Sequence, residues 1–539
     1  MSRAMLKSRR HPVALLLAAA VALLLSACGG RNDFWDANVE LPVQTLGLSG
    51  SVAVVDPSLD RVLMISASGR KLSEKALPVG KNIVAAKISP DKNTLFVLSS
   101  GVQPRKKPGD ERPSLTVIDG GTKPRVEARF QLTDPLQGLA IDPEGEWAVV
   151  YDAGGVVVNP NELIFVNLKD TSQAPYPKTI RSFGGRPERF TFTRSLALPK
   201  GGSRRMLIVE TDQDVTLIDL AHLDRDEVTV AMPKTPTGDT GQPAEVAYND
   251  GDPKDNSDAR IAVRLANDSS VLLLELGPPK ASANQDYFPT PNIADVGGVP
   301  TAIDFVETDG GLRLAALVPG LKQASLIDPA TTVVESVDFS KPYTRLTRVT
   351  QDVTNKPTTS DVALLWSDQT SGVAFWSLGK TTGTPFRSVD PYDIGIAVKQ
   401  VIDVSGDTYA HLKILQSTSE AEFYVLDLDK RTTYPMLTNQ PGFELSMSPD
   451  GQRVWAYRRG AKEFARIDLS DLHPTSLTVE RDVSAVYDIE RLDGGRAVLA
   501  MHESGGGMAG ALGATVLDAL EPDTADSSFY GGLMLGGVR

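Results

Sequence analysis

Leu445-Ser-Met-Ser-Pro-Asp-Gly451 is the clearest copy of a pattern that recurs along the whole chain. It is followed by the apolar runs Val454-Trp-Ala-Tyr457 and Phe464-Ala-Arg-Ile-Asp468. Proline and glycine stand where a tight turn needs a fixed or a positive φ. Short apolar or alternating runs between such turns are typical of β-strands. The stretch therefore predicts a strand, a hairpin and two further strands.

Other copies extend the pattern over most of the sequence. Ala86-Lys-Ile-Ser-Pro-Asp91 leads to Leu95-Phe-Val-Leu98 and then to Leu115-Thr-Val-Ile-Asp119, and Leu139-Ala-Ile-Asp-Pro-Glu-Gly145 leads to Ala148-Val-Val150 and Leu163-Ile-Phe-Val166. Weaker copies begin near Leu196, Val246, Ile303, Val349, Val401 and Ile489. A repeat of about 40 to 50 residues with four short strands is the signature of propeller blades.

The repeats predict an all-β fold with little helix, a β-propeller of four-stranded blades. Three clear and six weaker copies make nine, and strands at 52–65 add an incomplete first unit. Because propellers usually stop at about eight blades, we expect one ring of seven or eight blades, with two fused smaller propellers as the alternative. Incomplete units at both ends predict that strands of 52–77 and of 485–517 share one blade, which leaves no open edge.

The repeat region resembles the YVTN/WD40-like propeller repeats of bacterial surface and periplasmic proteins. The resemblance covers about residues 50 to 517 and rests on the Ser-Pro-Asp-Gly-type hairpins and the Val-Ile-Asp-type third strands. It implies the fold and a place in the cell envelope. It implies no particular activity, because this architecture carries unrelated functions.

The N-terminus predicts export and lipidation. A basic stretch without acidic residues precedes the apolar run Val13–Leu25, which is shorter than the roughly 20 residues of a spanning helix. Leu25-Ser-Ala-Cys28 contains the only cysteine of the chain and resembles a bacterial lipobox. The resemblance implies a signal peptide over residues 1–27, diacylglycerol (palmitate-type acylation) on Cys28, and a lipidated tether over 28–44.

The same segment indicates where the protein resides. Gly29 and Gly30 follow Cys28, and no aspartate is present there to retain the protein at the inner membrane. We therefore expect a lipoprotein of the cell envelope, in the outer membrane. The propeller is expected over 45–520, followed by a Gly-rich C-terminal tail over 521–539.

Composition restricts the partners of the chain. The 55 Lys and Arg stand against 68 Asp and Glu, a formal net charge of −13, and loss of the four basic signal residues makes it about −17. Such a charge disfavours nucleic acid, whose binding needs a basic face, and disfavours unspecific adsorption to anionic lipid. The expected attachment to the membrane is therefore the lipid anchor alone.

Several motifs resemble chemical sites only in part. Gly505-Gly-Gly-Met-Ala-Gly510 has dinucleotide-binding spacing but lies between two strands, so we expect a loop. Asn249–Asp258 is rich in oxygen ligands, but Lys254 stands where a calcium ligand would be needed. His502-Glu503 lacks a second histidine, and the histidines are scattered: His11, His222, His411, His473 and His502. The sequence thus predicts no cofactor and no metal, and no catalytic residue can be assigned.

Two basic segments interrupt the acidic chain. One is the proline-flanked insertion 103–113, with Arg105, Lys106, Lys107 and Arg112. The other holds Arg181, Arg186, Arg189 and Arg194 around Gly184-Gly185. Either is a solvated loop or a contact for anionic sugars or lipid headgroups.

We therefore expect a non-enzymatic envelope lipoprotein whose propeller is a docking platform for other envelope proteins or surface glycans. The alternative is a lactonase-like hydrolase that acts at the central funnel. That function would need His, Glu or Arg side chains converging at the inner strands.

Overall fold

The computed structural model describes residues 43–154, 159–183, 185–199, 201–235, 238–252, 259–279, 284–349, 362–379, 387–404, 408–417, 422–437, 443–503, 512–523 and 527–531. These residues contain 40 β-strands and one short 3-10 turn, Pro319–Leu321. In this part of the chain, no helix has the length and apolar character needed to cross a bilayer.

The strands, β1 to β40 in chain order, form ten antiparallel sheets of four. Blades 1 to 5 contain Gln44–Gly47, Val52–Asp56, Arg61–Ser68, Lys71–Pro78; Ile83–Ile88, Thr94–Ser99, Ser114–Asp119, Arg125–Gln131; Gly138–Ile141, Trp147–Tyr151, Glu162–Asn167, Tyr176–Thr179; Arg189–Ala197, Ser203–Glu210, Asp214–Asp219, Val228–Ala231; Pro243–Asn249, Arg260–Leu265, Ser270–Gly277, Phe288–Asp295. Blades 6 to 10 contain Ala302–Thr308, Gly311–Val318, Gln323–Ile327, Val334–Asp338; Arg345–Val349, Val362–Trp366, Ser371–Ser377, Val389–Ala397; Gln400–Asp403, Leu412–Gln416, Glu422–Asp427, Thr432–Leu437; Glu444–Met447, Arg453–Tyr457, Ala461–Asp468, Pro474–Val483; Ala485–Glu490, Arg496–His502, Gly513–Asp518, Ser528–Gly531.

Each blade is an up-and-down sheet whose four strands follow one another in the chain. First strands of successive blades contact one another, for example β5 with β9, β17 with β21 and β33 with β37, which places them at the inner wall of the ring. Because strand direction alternates, connections from even- to odd-numbered strands lie on one face, here the upper face. Connections from odd- to even-numbered strands lie on the lower face.

Burial along the strands explains why they pair and stack as they do. Middle strands such as Val52–Asp56 are buried on both sides, because a blade lies on each face of them. Fourth strands such as Lys71–Pro78 alternate between buried and exposed residues, as a strand with one solvated face does. Shared apolar clusters join each blade to the next, from blades 1 and 2 to blades 8 and 9, and a last cluster joins blades 9, 10 and 1.

The propeller prediction is confirmed, but the expectation of seven or eight blades is wrong. The structure has ten blades in one ring, and the unbroken series of shared clusters leaves no division into two smaller propellers. The nine repeat copies fall in blades 2 to 10, and the incomplete first unit is blade 1. The number of repeat units counted in the sequence is therefore correct. The expectation of seven or eight blades is wrong because it applied the usual upper limit on propeller size.

The expected shared blade is also wrong. Strands β1 to β4 form blade 1 alone, and β37 to β40 form blade 10 alone. The ring closes by packing these blades face to face, with Val54, Leu63 and Val486 in one buried cluster. Sharing is unnecessary because every blade already leaves its fourth strand as an edge on the outside of the ring.

Polar contacts reinforce this seam between blades 1 and 10. The Tyr487 hydroxyl lies 2.9 Å from Thr45 Oγ1, and the Glu490 amide donates to the Ser49 carbonyl at 2.7 Å. The Tyr530 hydroxyl donates to the Arg70 carbonyl at 2.9 Å. Tyr530 belongs to β40, so the blade continues to residue 531, inside the segment expected to be a tail.

The predicted hairpin chemistry is present at the lower face. Ser89 Oγ donates to Asp91 Oδ1 at 2.5 Å, and the Lys92 amide donates to the Ser89 carbonyl at 2.9 Å. In the copy at 448–451, Ser448 Oγ donates to Asp450 Oδ1 at the same distance, and Gly451 has φ +65°. Lys92 takes the left-handed position with φ +58° where the other copy has glycine.

Candidate functional site

The connection between blades 3 and 4 forms the most distinct surface feature of the upper face. It runs from residue 180 to 188, between β12 and β13, and is referred to here as the Phe183 loop. Asp214 at the start of β15 is fully buried, and its Oδ2 accepts the Phe183 amide at 2.7 Å and Ser182 Oγ at 2.8 Å. The Gly185 amide donates to Ser182 Oγ at 2.8 Å. These bonds fix the loop backbone from below.

The fixed backbone directs an aromatic ring into solvent. Phe183 is 63% exposed, which is unusual for a large apolar side chain in a loop held by buried hydrogen bonds. Aromatic and arginine side chains are the residue types that most often anchor protein interfaces. The basic stretch predicted from the sequence includes the arginines around Phe183 but not the ring itself. A single aromatic residue in a run of Arg, Gly and Ser was the available signal.

Arg181 and Arg186 flank this ring, with 76% and 56% of their side chains exposed. Arg181 Nη2 lies 3.1 Å from Asp226 Oδ1, and the Arg181 amide donates to Glu227 Oε1 at 2.9 Å. Burial raises the pKa of Glu227, but hydrogen bonds from its own backbone amide, Arg181 and Lys178 outweigh burial and hold it below the usual value. Because a pair exposed on both sides is weak, the Arg181 guanidinium can exchange Asp226 for a group of a ligand. Arg186 Nη1 lies 3.7 Å from Oδ2 of the buried Asp152, so its charge also compensates a buried carboxylate.

The other two arginines of the predicted basic stretch do not join them. Arg189 donates to Glu210 Oε2 at 2.9 Å and to the Pro243 carbonyl at 2.5 Å, so it links blade 4 to blade 5. Arg194 lies on the inner wall, where its Nε is 2.7 Å from Asp250 Oδ2. The predicted stretch therefore divides into a surface pair and two structural arginines.

The second predicted basic segment lies on the same face. Residues 103–113 belong to the β6–β7 connection of blade 2, and Arg105, Lys106 and Lys107 are exposed there. Asp110 accepts the backbone amides of Lys106 and Lys107 at 2.7 and 2.8 Å, and these bonds lower the pKa of its carboxyl. The structure thus places both basic segments on the upper face of an otherwise acidic ring.

The inner wall carries paired charges. Across blades 4 to 7, Arg194 on β13 faces Asp250 directly after β17, and Asp304 on β21 lies 3.0 Å from Arg348 on β25. Burial raises the pKa of Asp304, and the nearby Arg348 charge only partly offsets this. The four described histidines, at 222, 411, 473 and 502, all lie outside the first strands. The wall thus offers compensated ion pairs and no imidazole base.

A small cavity opens on the inner wall where blades 9, 10, 1 and 2 meet. Its volume is about 280 Å³, and residues 45–48, Lys92 and 445–447 line it together with Tyr487. Lys92 Nζ donates to the Met447 carbonyl at 3.2 Å, so this side chain reaches from blade 2 to blade 9. Burial lowers the pKa of Lys92, and the Asp488 charge partly counters the effect.

Asp488 forms a buried charge network between blades 9 and 10. Its Oδ2 accepts Arg453 Nε at 3.2 Å and Trp455 Nε1 at 3.1 Å, and its Oδ1 accepts Arg496 Nε at 2.6 Å. Arg453 also donates to Asp450 Oδ2 at 2.9 Å. Burial raises the pKa of Asp450, but the Ser448 and Gln452 hydrogen bonds and the two arginine charges hold it below its usual value. Both oxygens of the Asp488 carboxylate are engaged by side chains of these two blades, so this network is structural.

Among the described residues, folding brings one group of potential metal ligands together. His411, Asp427 and Asp429 place ligand atoms within 4.8 Å of one another on the lower face of blade 8. His502 is fully buried instead, with Nε2 at 2.8 Å from Thr515 Oγ1, so it is a structural residue. In the oxygen-rich segment that begins at Asn249, Asp250 is already paired with Arg194.

Other predicted features lie outside the described residues. These are Cys28 with its signal segment, the run Gly505–Gly510, and residues 253–258 of the oxygen-rich segment.

Comparison with known proteins gives structural similarity alone. No protein-family model and no curated protein sequence matches the chain. Among solved structures, a functionally unknown protein from Desulfotomaculum acetoxidans DSM 771 is 13% identical, with a TM-score of 0.32, over 73% of this chain and 98% of that one. The WD40 domain of SCAP from fission yeast is 12% identical, with a TM-score of 0.35, over 78% of this chain and 93% of that one. The dihydro-heme d1 dehydrogenase NirN is 14% identical, with a TM-score of 0.37, over 84% and 76%. Nothing about function follows from similarity at this level.

Proposed function

We propose that this protein is a docking platform of the bacterial cell envelope whose upper face binds an acidic protein or glycan surface through the Phe183 loop. The observation that carries the proposal is the exposed Phe183 ring, held out by the buried Asp214 carboxylate and flanked by Arg181 and Arg186. A pre-organised aromatic anchor loses little conformational freedom on binding, so its burial contributes to affinity.

The distribution of charge also favours the upper face as the docking surface. The chain has a formal net charge of −13, and exposed basic residues of the 103–113 segment lie on the side that carries Arg181 and Arg186. A local basic surface on an acidic body orients an acidic partner and raises the rate of encounter. The Asp and Glu side chains around the rest of the ring would repel the same partner.

Site-specific photocrosslinking in living cells tests this function. A benzoylphenylalanine at position 183 should give one dominant crosslinked species, because the ring inserts into the partner. The same group at position 333 is the matched control, since Val333 is 65% exposed but lies on the lower face. The partner identified in this way is then purified for binding measurements.

Binding of that partner should weaken by about 30-fold in Phe183→Ala, because loss of an interface anchor costs about 2 kcal/mol. Val333→Ala should bind like the wild type. Equal labelling from positions 183 and 333, or wild-type affinity in Phe183→Ala, would show that the Phe183 loop is not the docking site.

The anchor is proposed on the lipobox resemblance of Leu25-Ser-Ala-Cys28. Cys28→Ser should abolish fatty-acid labelling and release the chain from the outer-membrane fraction. Labelled fatty acid in that variant, or a wild-type chain that fractionates as soluble, would contradict lipidation.

The inner wall favours docking over hydrolysis. A lactonase-like site would need a catalytic base that is not already held in an ion pair. The wall instead presents the Arg194–Asp250 and Arg348–Asp304 pairs, and no described histidine lies on a first strand. We therefore propose a non-enzymatic role.

A further inference from the structure

The lower face of blade 8 brings together one histidine and two aspartates from two neighbouring connections. His411 ends the turn before β30, Asp427 ends β31, and Asp429 follows in the hairpin to β32. The Leu428 amide donates to the His411 carbonyl at 2.9 Å, and Leu412 pairs with Asp427 in the strand ladder. Backbone pairing therefore fixes the imidazole against the carboxylates, although the sequence shows no metal motif.

The ligand atoms suit a borderline divalent cation. One imidazole nitrogen and two carboxylate oxygens lie within 4.8 Å of one another, which one ion can span. Imidazole with carboxylate is a zinc donor set, whereas calcium and magnesium prefer oxygen ligands alone. Among the described residues, neither imidazole nitrogen of His411 makes a hydrogen bond, and the Asp429 carboxylate makes none.

A cation already neutralises part of this group. Lys430 Nζ donates to Asp427 Oδ2 at 2.8 Å, while Asp427 Oδ1 accepts the amides of Asp429 and Lys430 at 3.1 and 3.0 Å. Asp427 is only 2% exposed, but the Lys430 side chain is 68% exposed and can move into water. The Lys430 ammonium thus lies where a metal ion would bind, and its exposed side chain can be displaced from there.

A cavity next to His411 and Asp427 has space for a further ligand of a bound metal ion. A cavity of about 440 Å³ between blades 8 and 9 is lined by His411, Asp427, Tyr409, Tyr434 and Asp471. Zinc sites with three protein ligands keep a fourth position for water or a bound molecule. The cavity provides that position, so the group is not sealed as a purely structural site would be.

We propose that His411, Asp427 and Asp429 bind one zinc ion, which displaces the Lys430 ammonium and has its fourth position open to the cavity between blades 8 and 9. Lys430 then acts as a tethered competitor, because two like charges cannot occupy neighbouring positions on the Asp427 carboxylate. The site lies on the face opposite the Phe183 loop, so it is independent of the docking function proposed above.

Calorimetric titration with Zn²⁺ alone tests the site on the full chain, purified in detergent without a polyhistidine tag. The wild type should bind one ion per chain. His411→Ala and Asp429→Asn should weaken binding by at least about tenfold, and Lys430→Gln should strengthen it by about tenfold. Because Asp429 and Lys430 are surface residues of a hairpin, these variants should keep the wild-type circular dichroism spectrum.

His473→Ala is the matched control, because His473 lies in the neighbouring lower-face hairpin 469–473 but outside the ligand group. It should bind zinc like the wild type. A wild-type chain that takes up no zinc, unchanged binding in His411→Ala, or a Lys430→Gln variant that binds no more tightly would each overturn the proposal. Loss of binding in His473→Ala with retention in His411→Ala would place the ion elsewhere.

Discussion

Neutralising Asp488 should destabilise the junction of blades 9 and 10 more than any surface charge change on the ring. Asp488 is fully buried and accepts hydrogen bonds from Arg453, Trp455 and Arg496. Asp488→Asn keeps the shape of the side chain but leaves two guanidinium groups facing one carboxylate, that of Asp450. The network would then carry an uncompensated buried charge.

The loss of unfolding free energy depends on the contacts that Arg453 and Arg496 keep in the variant. Removing one partner of a buried ion pair costs about 3 to 5 kcal/mol of unfolding free energy. Arg453 keeps its 2.9 Å bond to Asp450, and Arg496 remains 3.7 Å from the same carboxylate. We therefore expect a loss near the lower end, about 3 kcal/mol.

Urea unfolding followed by tryptophan fluorescence measures this loss, because Trp455 is itself a donor to Asp488. Asp493→Asn is the matched control, since that carboxylate is on the same blade but exposed, and it should cost less than about 1 kcal/mol. The double variant Asp488→Asn with Arg496→Gln should recover part of the loss. If Asp488→Asn unfolds at the same midpoint as Asp493→Asn, the buried network does not hold the junction.

Three further perturbations probe the turn chemistry and the ring contacts. Gly50→Ala should cost about 1 to 3 kcal/mol in thermal unfolding, because its Cβ would lie 2.3 Å from the Thr122 amide nitrogen, whereas Gly109→Ala, which faces open space, should be neutral. The Asp450 carboxylate has a pKa below its ordinary 3.8, so its contribution to stability is complete above that value and is lost as pH falls through the folded-state pKa. Asp450→Asn should therefore lower the urea midpoint at pH 7, and the difference from the wild type should shrink as the pH is taken below 3.8. Truncation after Asp523 removes β40, so amide exchange in β39 should accelerate, and unchanged exchange there would mean that β40 does not pair.

The sequence predicted the repeat well because turn chemistry is local. The Ser89–Asp91 and Ser448–Asp450 hydrogen bonds are made within a few residues, so proline, aspartate and glycine identify those hairpins directly. Continuous apolar runs likewise indicate the middle strands, which lie between two blades, and alternating runs indicate strands with one solvated face. These signals gave the right number of units without knowledge of the ring.

Ring size and closure could not be predicted in the same way. Both depend on the angle between packed blades and on contacts such as Thr45 with Tyr487, which are more than 400 residues apart in the chain. The candidate sites could not be predicted from the sequence for the same reason, because they also depend on contacts between distant residues. Phe183 projects only because Asp214, in the next blade, holds its amide, and His411 meets Asp427 only through strand pairing.

The seam between blades 1 and 10 determines how the ring would yield to mechanical load. Among the described strands, no ladder crosses it, and β1 begins blade 1 at Gln44, so a pull on the proposed N-terminal tether would act on blade 1. Apolar packing and isolated bonds such as Glu490 to Ser49 hold the seam, whereas continuous ladders hold each blade together. If the proposed tether holds the molecule to a membrane, this seam is where the ring would open between blades, as a split ring.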